Sequence, residues 1–372
     1  MHENKGYFIS ANKRLSVNVV HNKSMFLISV ACITLVGVLL LWRASAETSA
    51  SQFEAESGSI TAPARVASDS TASGGKFVRF GSTSAASTLP KQGISTGYKI
   101  FTRNATDRAF ELDKIKQVFN GHPGYVRLDS TPTNQAQLDA VVADVLSRDL
   151  TPLLILYGTT SPRSVDNFGR DQAVKWTGKV HFFEIANEPD LNGWSPDAYA
   201  DFVKGTAASV SAGNPNATVI AGALWKGGAN YTTQDFVRSL AVRAKGSYQY
   251  ISLHLYDDAK TRANWNIWDM AFPVLFGVNS YYKGNTCREI LDTNGLSAVP
   301  IISTESGGTI DTYGEAGQND IVAHGFDAVT SNLLPSMAVY SMKNDDVAGF
   351  GLLRDDGTER PAYATFQSRS KE

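Results

Sequence analysis

The sequence predicts a (β/α)8 barrel over residues 95–372, and three observations carry that expectation. Short apolar runs alternate with amphipathic helical stretches, the pattern of repeated β-α units. Eight such runs fit this region, and a barrel needs roughly 250 residues. A doubly wound sheet would show a glycine-rich phosphate turn after its first strand, where the chain reads Phe101-Thr-Arg-Asn-Ala-Thr-Asp107.

Taken in order, the chain opens on a polar segment, residues 1–24, carrying Lys5, Lys13, Arg14 and Lys23. Met25 to Trp42 follows without a charge and is long enough to span a bilayer as a helix. Only Arg43 follows it closely, so the charge asymmetry keeps the N-terminus in the cytoplasm and sends the remainder outside. Ala44-Ser45-Ala46 resembles a signal-peptidase site, and both a cleaved signal and an uncleaved membrane anchor fit. Either way the barrel is expected to be extracytoplasmic, with the membrane as a partner of the N-terminal helix.

Residues 43–94 are rich in Ser, Ala, Thr and Gly and read as a linker. Within them Phe53 to Gly81 holds short alternating segments around glycine-rich turns. That stretch resembles the opening strands of carbohydrate-binding β-sandwich modules, but it is too short for a whole one. It is read as a remnant or spacer that pairs at most locally.

The strand candidates are Tyr98–Phe101, Tyr125–Asp129, Pro152–Tyr157, Val180–Ala186, Thr218–Ala223, Tyr250–Leu255, Val299–Thr304 and Met337–Ser341. Their near-continuous apolarity suits strands covered on both faces. Helices are expected over Leu112–Phe119, Gln135–Ser147, Pro196–Ser211, Gln234–Ala244, Trp268–Leu291 and Asp320–Leu333. In the second, Leu138, Val141, Val142 and Val145 recur at spacings of three and four and form one apolar face.

Composition excludes several function classes. A net charge of −2 gives no basic surface for nucleic acid. The two cysteines are split between the apolar run (Cys32) and the barrel (Cys287), which rules out a disulfide within the barrel and a four-cysteine zinc site. There is no Gly-x-Ser-x-Gly elbow, no His-Glu-x-x-His helix and no phosphate loop, and the six histidines are scattered. Neither a metal nor a cofactor is expected.

Reactive residues of a (β/α)8 barrel occupy the C-terminal ends of its strands. Strand four ends in Asn187-Glu188-Pro189-Asp190, and strand seven ends in Ser303-Thr304-Glu305-Ser306. Two carboxylates so placed face each other across the barrel mouth. Retaining glycoside hydrolysis needs that arrangement, with carboxyl groups about 5–5.5 Å apart. Glu184 shares Glu188's side of its strand by alternation and is read as a structural partner for a buried cation.

Asn187-Glu188-Pro189 closing strand four, with Glu305 closing strand seven, resembles clan A of the glycoside hydrolases. Gly351 to Tyr363 is similar to the closing segment of its cellulase-like and β-xylosidase-like members. The resemblance implies Glu188 as acid/base and Glu305 as nucleophile. It places Arg127 and Tyr256 as donors that keep Glu305 ionised, Asn187 on the sugar 2-hydroxyl, and His254 in the same subsite. Trp194, Trp225, Trp265 and Trp268 follow strands four to six and are candidate sugar platforms, Trp268 being the best candidate for helix packing instead. Many clan members end strand eight with a Trp, whereas this chain reads Val339-Tyr340-Ser341-Met342, so Tyr340 or Met342 is expected to fill that space.

The expected function is a retaining β-glycosidase acting on a β-linked polysaccharide or oligosaccharide. A catalytically silent glycan-binding barrel and a cell-surface transglycosylase are the alternatives, and the second of these uses the same residues.

Overall fold

The computed structural model describes residues 65–68, 76–79, 88–157, 165–261, 266–344 and 349–370. Two units divide the chain. In the first, Arg65–Ser68 pairs antiparallel with Lys76–Arg79, Val66 opposite Val78, so the stretch read as a remnant or spacer does pair locally. The apolar run Met25–Trp42 lies outside the described residues. Among those residues no helix is long and apolar enough to cross a membrane.

The second unit is a closed barrel of eight parallel strands, a TIM barrel. The strands are β1 (Gln92–Ser95), β2 (Tyr125–Ser130), β3 (Thr151–Leu156), β4 (Phe182–Ile185), β5 (Thr218–Leu224), β6 (Tyr250–Tyr256), β7 (Ile301–Gly307) and β8 (Met337–Tyr340). Between and after them lie α1 (Ala105–Val118), α2 (Gln135–Leu146), α3 (Val165–Lys175), α4 (Pro196–Gly213), α5 (Thr233–Arg243), α6 (Cys287–Thr293), α7 (Ile310–Thr330, interrupted at Gly314) and α8 (Pro361–Arg369).

Two apolar clusters hold the barrel. The larger lies between strands and helices and includes Leu138, Val141, Val142 and Val145 of α2, the face that their spacing predicts. The smaller fills the barrel interior with Leu89, Tyr125, Leu153, Phe182, Ile220, Ile302 and Ala338. Strand alternation then stacks a polar layer on this apolar one: Arg127 lies two residues beyond Tyr125, Glu184 two beyond Phe182, and Thr304 two beyond Ile302.

Seven of the eight strands start and end within a few residues of their expected positions. The first does not. Tyr98–Phe101 belongs to a turn of helix that buries Ile100 and Phe101, and the strand is Gln92–Ser95, upstream of the expected boundary at 95. Gly93 hides it from an apolar search. A Cβ there would come 2.4 Å from the Tyr125 ring, so β1 has little apolar side chain to display. The long helix expected over Trp268–Leu291 is also broken. It becomes a short helix (Ile267–Ala271), a hairpin pairing Val274–Leu275 with Val278–Asn279, and α6. Pro273 and the left-handed glycines Gly277 and Gly284 prevent one helix from running through.

One side chain of the helical layer fixes the strand ends that form the barrel mouth. The buried Tyr199 hydroxyl of α4 donates to Ile185 O (2.7 Å) and accepts from Gly222 N (3.0 Å), tying β4 to β5. Tyr199→Phe leaves a buried carbonyl and a buried N–H without that partner. Urea melts should show a loss of about 1–3 kcal/mol; no change would mean that the two strand ends are held by other contacts.

Candidate active site

Two backbone irregularities build the site. Strand alternation would send Thr304 and Glu305 to opposite faces, but the β6–β7 register shifts between Ile302 and Glu305. The bulge turns both side chains inward, so Thr304 reaches Glu184 and Glu305 reaches Arg127. Ser303 secures it, its hydroxyl donating to Glu305 O (2.7 Å) and accepting from Leu255 N (3.3 Å).

A second shift lies between Ala221 and Leu224, where Gly222 has φ 113° and Ala223 φ 48°. A Cβ on Gly222 would meet Ser252 O at 2.3 Å, so glycine is required there. The Ala223 carbonyl accepts from Glu188 N (2.9 Å) and holds Glu188 at φ 45°. Glu188, Ala186, Ala223 and Asp257 are four non-glycine residues with positive φ at the tops of β4, β5 and β6. Such strain is tolerated where surrounding contacts fix the backbone.

Arg127 is the centre of the side-chain network and is 1% exposed. Its Nε donates to Glu184 Oε2 (2.5 Å), its Nη1 to Glu305 Oε1 and Ser95 Oγ (3.2 Å), and its Nη2 to Asn187 Oδ1 (2.7 Å). Glu184 is fully buried and also accepts from Thr304 Oγ1 (2.7 Å), as its inward position predicts.

Glu305 accepts from Arg127 and, on Oε2, from Tyr256 Oη (2.5 Å); Ser95 Oγ donates to Oε1 (3.3 Å). Burial alone would raise its pKa. The charges of His254 and Arg127, with the Tyr256 and Ser95 hydrogen bonds, outweigh it and hold the carboxyl below its ordinary range. His254 Nδ1 lies 2.8 Å from Glu188 Oε1, and its Nε2 faces Arg127 Nη2 at 3.4 Å. Burial opposes a charge on His254, but the Glu305 charge and the Glu188 hydrogen bond outweigh it and raise its pKa, so Nδ1 donates to Glu188. Glu188 and Glu305 each offer an oxygen to a group of three, completed by a His254 nitrogen, whose members lie within 4.8 Å of one another. The Arg127 guanidinium bonded to Glu305 puts a positive charge against this group, which opposes binding of a divalent ion there.

Glu188, Glu305, Asn187, Tyr256, Trp225 and Tyr340 all line one cleft of about 620 Å3. Arg127 and His254 stand behind its wall. An aromatic chain runs round one side: Trp225 on Tyr256 (5.7 Å between centroids), Tyr256 on Phe350 (5.5 Å), Phe350 on Tyr340 (5.3 Å). The space expected for Tyr340 or Met342 is therefore lined by Tyr340 and Phe350, while Met342 is fully buried.

Trp194 is a correction. It packs on Tyr199 and Phe202 of α4, 6.1 and 5.1 Å between centroids, and does not line the cleft, because the chain turns back onto α4 after Asp190. Trp268 is buried in the core, and Trp265 lies outside the described residues.

Sequence reasoning missed Phe350, Tyr157, Tyr98, Tyr313 and Asp257, which also line the cleft. Tyr157 and Asp257 end strands three and six and were open to the same strand-end search; the others arrive on loops or helix starts. Asp190 was missed as well. Its buried carboxylate accepts from Trp225 N (3.0 Å) and Gly227 N (2.9 Å), which holds the Trp225 loop at the cleft edge.

No protein-family model and no curated protein matches the chain. Solved structures do share its fold. A family 39 glycoside hydrolase from Bacteroides cellulosilyticus is 17% identical with a TM-score of 0.56, over 75% of this chain and 63% of that one. A monomeric β-xylosidase from Caulobacter crescentus is 17% identical with a TM-score of 0.53, over 75% and 67%. Cel5A from Thermotoga maritima, solved with cellobiose, is 15% identical with a TM-score of 0.53, over 75% and 96%. The chain thus spans less than two thirds of the first of these. The neighbours are glycoside hydrolases of the kinds that the motifs resemble, and the likeness at these identities is one of fold.

The lowered Glu305 carboxyl links stability to pH. Its contribution is present above the unfolded glutamate pKa and is lost as pH falls through the lower folded value. Tyr256→Phe removes one of the bonds that lower it. In urea melts across about pH 3 to 6 the variant should lose less stability on acidification than the parent, and its loss should level off at a higher pH, because the folded value has moved up toward the unfolded one. Superimposable profiles would mean that the Tyr256 bond does not stabilise the ionised form.

Proposed function

We infer that this protein is a retaining β-glycosidase, with Glu305 as nucleophile and Glu188 as acid/base. The observation that carries the inference is the pair of carboxylate oxygens within 4.8 Å at one barrel mouth, one set among cationic and hydroxyl donors and the other bonded to a histidine. That spacing suits direct attack by a carboxylate; an inverting pair stands about 6.5–9.5 Å apart to admit a water.

In the first step Glu305 attacks the anomeric carbon, and Glu188 gives its proton to the departing glycosidic oxygen. A covalent glycosyl-enzyme results. Water then attacks the same carbon, Glu188 takes its proton, and Glu305 leaves as carboxylate. Arg127, Tyr256 and Ser95 donate to Glu305 in the free enzyme and receive the carboxylate again on release. Asn187 Oδ1 is occupied by Arg127, which orients the amide so that its Nδ2 can donate to a sugar hydroxyl. Trp225, Tyr340 and Phe350 offer rings to the apolar faces of β-linked sugars.

The substrate class is a β-glycan or its oligosaccharides. The structural neighbours include a β-xylosidase and a Cel5A solved with cellobiose and with mannotriose, so aryl β-xylosides, β-glucosides and β-mannosides are the first panel.

The proposal also places the barrel outside the cytoplasmic membrane. Its support is the uncharged run Met25–Trp42 with four cationic residues before it and Arg43 after it.

Two measurements test these statements. Glu305→Gly should abolish turnover, and azide should restore cleavage of an activated aryl glycoside with inverted product. Glu188→Ala should keep the first step on that substrate, accumulate the intermediate, and give an azide product of retained configuration. Wild-type rates in both variants would remove the catalytic assignment, and glycan binding without cleavage by the parent would favour the silent barrel. For location, protease added to intact cells should digest the chain beyond Ala46. Full protection, with the barrel recovered in cytosol, would overturn export.

A further inference from the structure

A buried carboxylate that touches no substrate needs a physical reason to be there. Glu184 is fully buried, does not line the cleft, and occupies a level of the barrel interior where an apolar side chain would avoid desolvation. Both of its oxygens are committed. Oε2 takes Arg127 Nε at 2.5 Å, and Oε1 takes Thr304 Oγ1 at 2.7 Å. Thr304 Oγ1 in turn lies 2.5 Å from Ser252 Oγ. Arg127 is therefore a single cation between two carboxylates, Glu184 on its Nε edge and Glu305 on its Nη1 corner. Thr304 and Glu305 are chain neighbours that the β7 bulge turns to the same side, which couples the two carboxylates by backbone as well.

We propose that Glu184 is a positioning residue for the reaction: it takes a share of the Arg127 charge and so sets how much reaches Glu305. The proposal rests on the reading of Glu305 as the nucleophile. A nucleophilic carboxylate has to be ionised yet still able to attack. A guanidinium serving Glu305 alone would hold its electron pair too firmly, and a guanidinium drawn wholly to Glu184 would leave it under-stabilised. The shared geometry lies between these limits. Glu184 also fixes the guanidinium plane from the Nε edge, so that Nη2 meets Asn187 while Nη1 meets Glu305.

The other groups facing Glu305 are unchanged by substitution at Glu184. Ser95 faces it from β1 and Tyr157 from β3, with Glu188 from β4 and His254 and Tyr256 from β6. Tyr340 of β8 lines the same cleft. A shift on Thr304→Val, which changes no charge, therefore reports on the Glu184–Arg127 pair, whereas Glu184→Gln also removes a charge that acts on Glu305 directly.

Two substitutions push the balance in opposite directions. Glu184→Gln keeps the shape and one acceptor but removes the competing charge, so more of Arg127 reaches Glu305 and its titration moves down. Thr304→Val removes the donor on Glu184 Oε1, so Glu184 leans harder on Arg127 and the Glu305 titration moves up. The readout is the Glu305 carboxyl titration in full-length protein labelled with 13C-glutamate, its signal assigned by its absence in Glu305→Gln. Expected shifts are about one pH unit down for Glu184→Gln and a smaller shift up for Thr304→Val. On a substrate that the parent cleaves, the acid limb of kcat/KM should follow the same two directions, with kcat/KM for Glu184→Gln reduced and KM little changed.

Titrations that stay put in both variants overturn the proposal and leave Glu184 as packing. Should Glu184→Gln fail to fold, Thr304→Val alone decides, by whether the Glu305 titration rises. A parent that cleaves nothing on the glycoside panel defeats the proposed function, while the carboxyl titration still decides whether Glu184 sets the Arg127 charge.

Discussion

The Arg127 guanidinium sits inside the barrel with no route to bulk water, and the site is arranged around keeping it there. A buried cation of this kind costs several kcal/mol in lost hydration unless partners of opposite charge and matching geometry surround it. Here two carboxylates, a serine hydroxyl and an amide oxygen take four of its five N–H groups, and the imidazole of His254 faces Nη2 at 3.4 Å on the last side. These partners come from β1, β6, β7 and, for Glu184 and Asn187, from β4 and the turn that follows it. Four strands thus converge on one planar cation carried by a fifth, and its five donors in a fixed plane prescribe where each must stop.

The layer beneath makes that convergence possible. Tyr125, Phe182, Ile220 and Ile302 pack the barrel floor as an apolar plug, which keeps water from reaching the guanidinium from below. The strands then alternate into a polar layer two residues higher. This is the arrangement in which electrostatics are strong: low dielectric below, fixed donors around, and a cleft open on one side. Glu305 borders that opening and Glu184 does not, so the same guanidinium serves a carboxylate at the cleft and one buried behind it.

Regular strands alone would not deliver the second carboxylate. Period-two alternation puts Thr304 and Glu305 on opposite faces, and the β7 bulge cancels it. The β5 irregularity, with Gly222 and Ala223 at positive φ, similarly presents a carbonyl to Glu188 N. Both bulges occur at the barrel rim, where pairing ends and a local twist is tolerated. The rim also collects aromatic side chains from distant parts of the chain, so that Trp225, Tyr256, Phe350 and Tyr340 join edge to face as one wall.

The sequence alone determined the barrel, because strand burial on both faces and helical amphipathicity are written into local periodicity. It also put Glu188 and Glu305 at the barrel mouth, since a strand-end carboxylate after an apolar run is a local pattern. Glu184's inward direction followed from alternation, and Arg127 and Tyr256 were found through the resemblance to clan A. β1 was not legible, because Gly93 gives up its side chain to make room for Tyr125, a residue 32 positions later. Trp194 and Phe350 exchanged places for a similar reason. Which ring faces a cleft and which packs on a helix depends on loop paths that no spacing encodes. Only the tertiary structure decided that Arg127 would be shared between Glu184 and Glu305, since a bulge and eight strand lengths had to agree before one guanidinium could reach both.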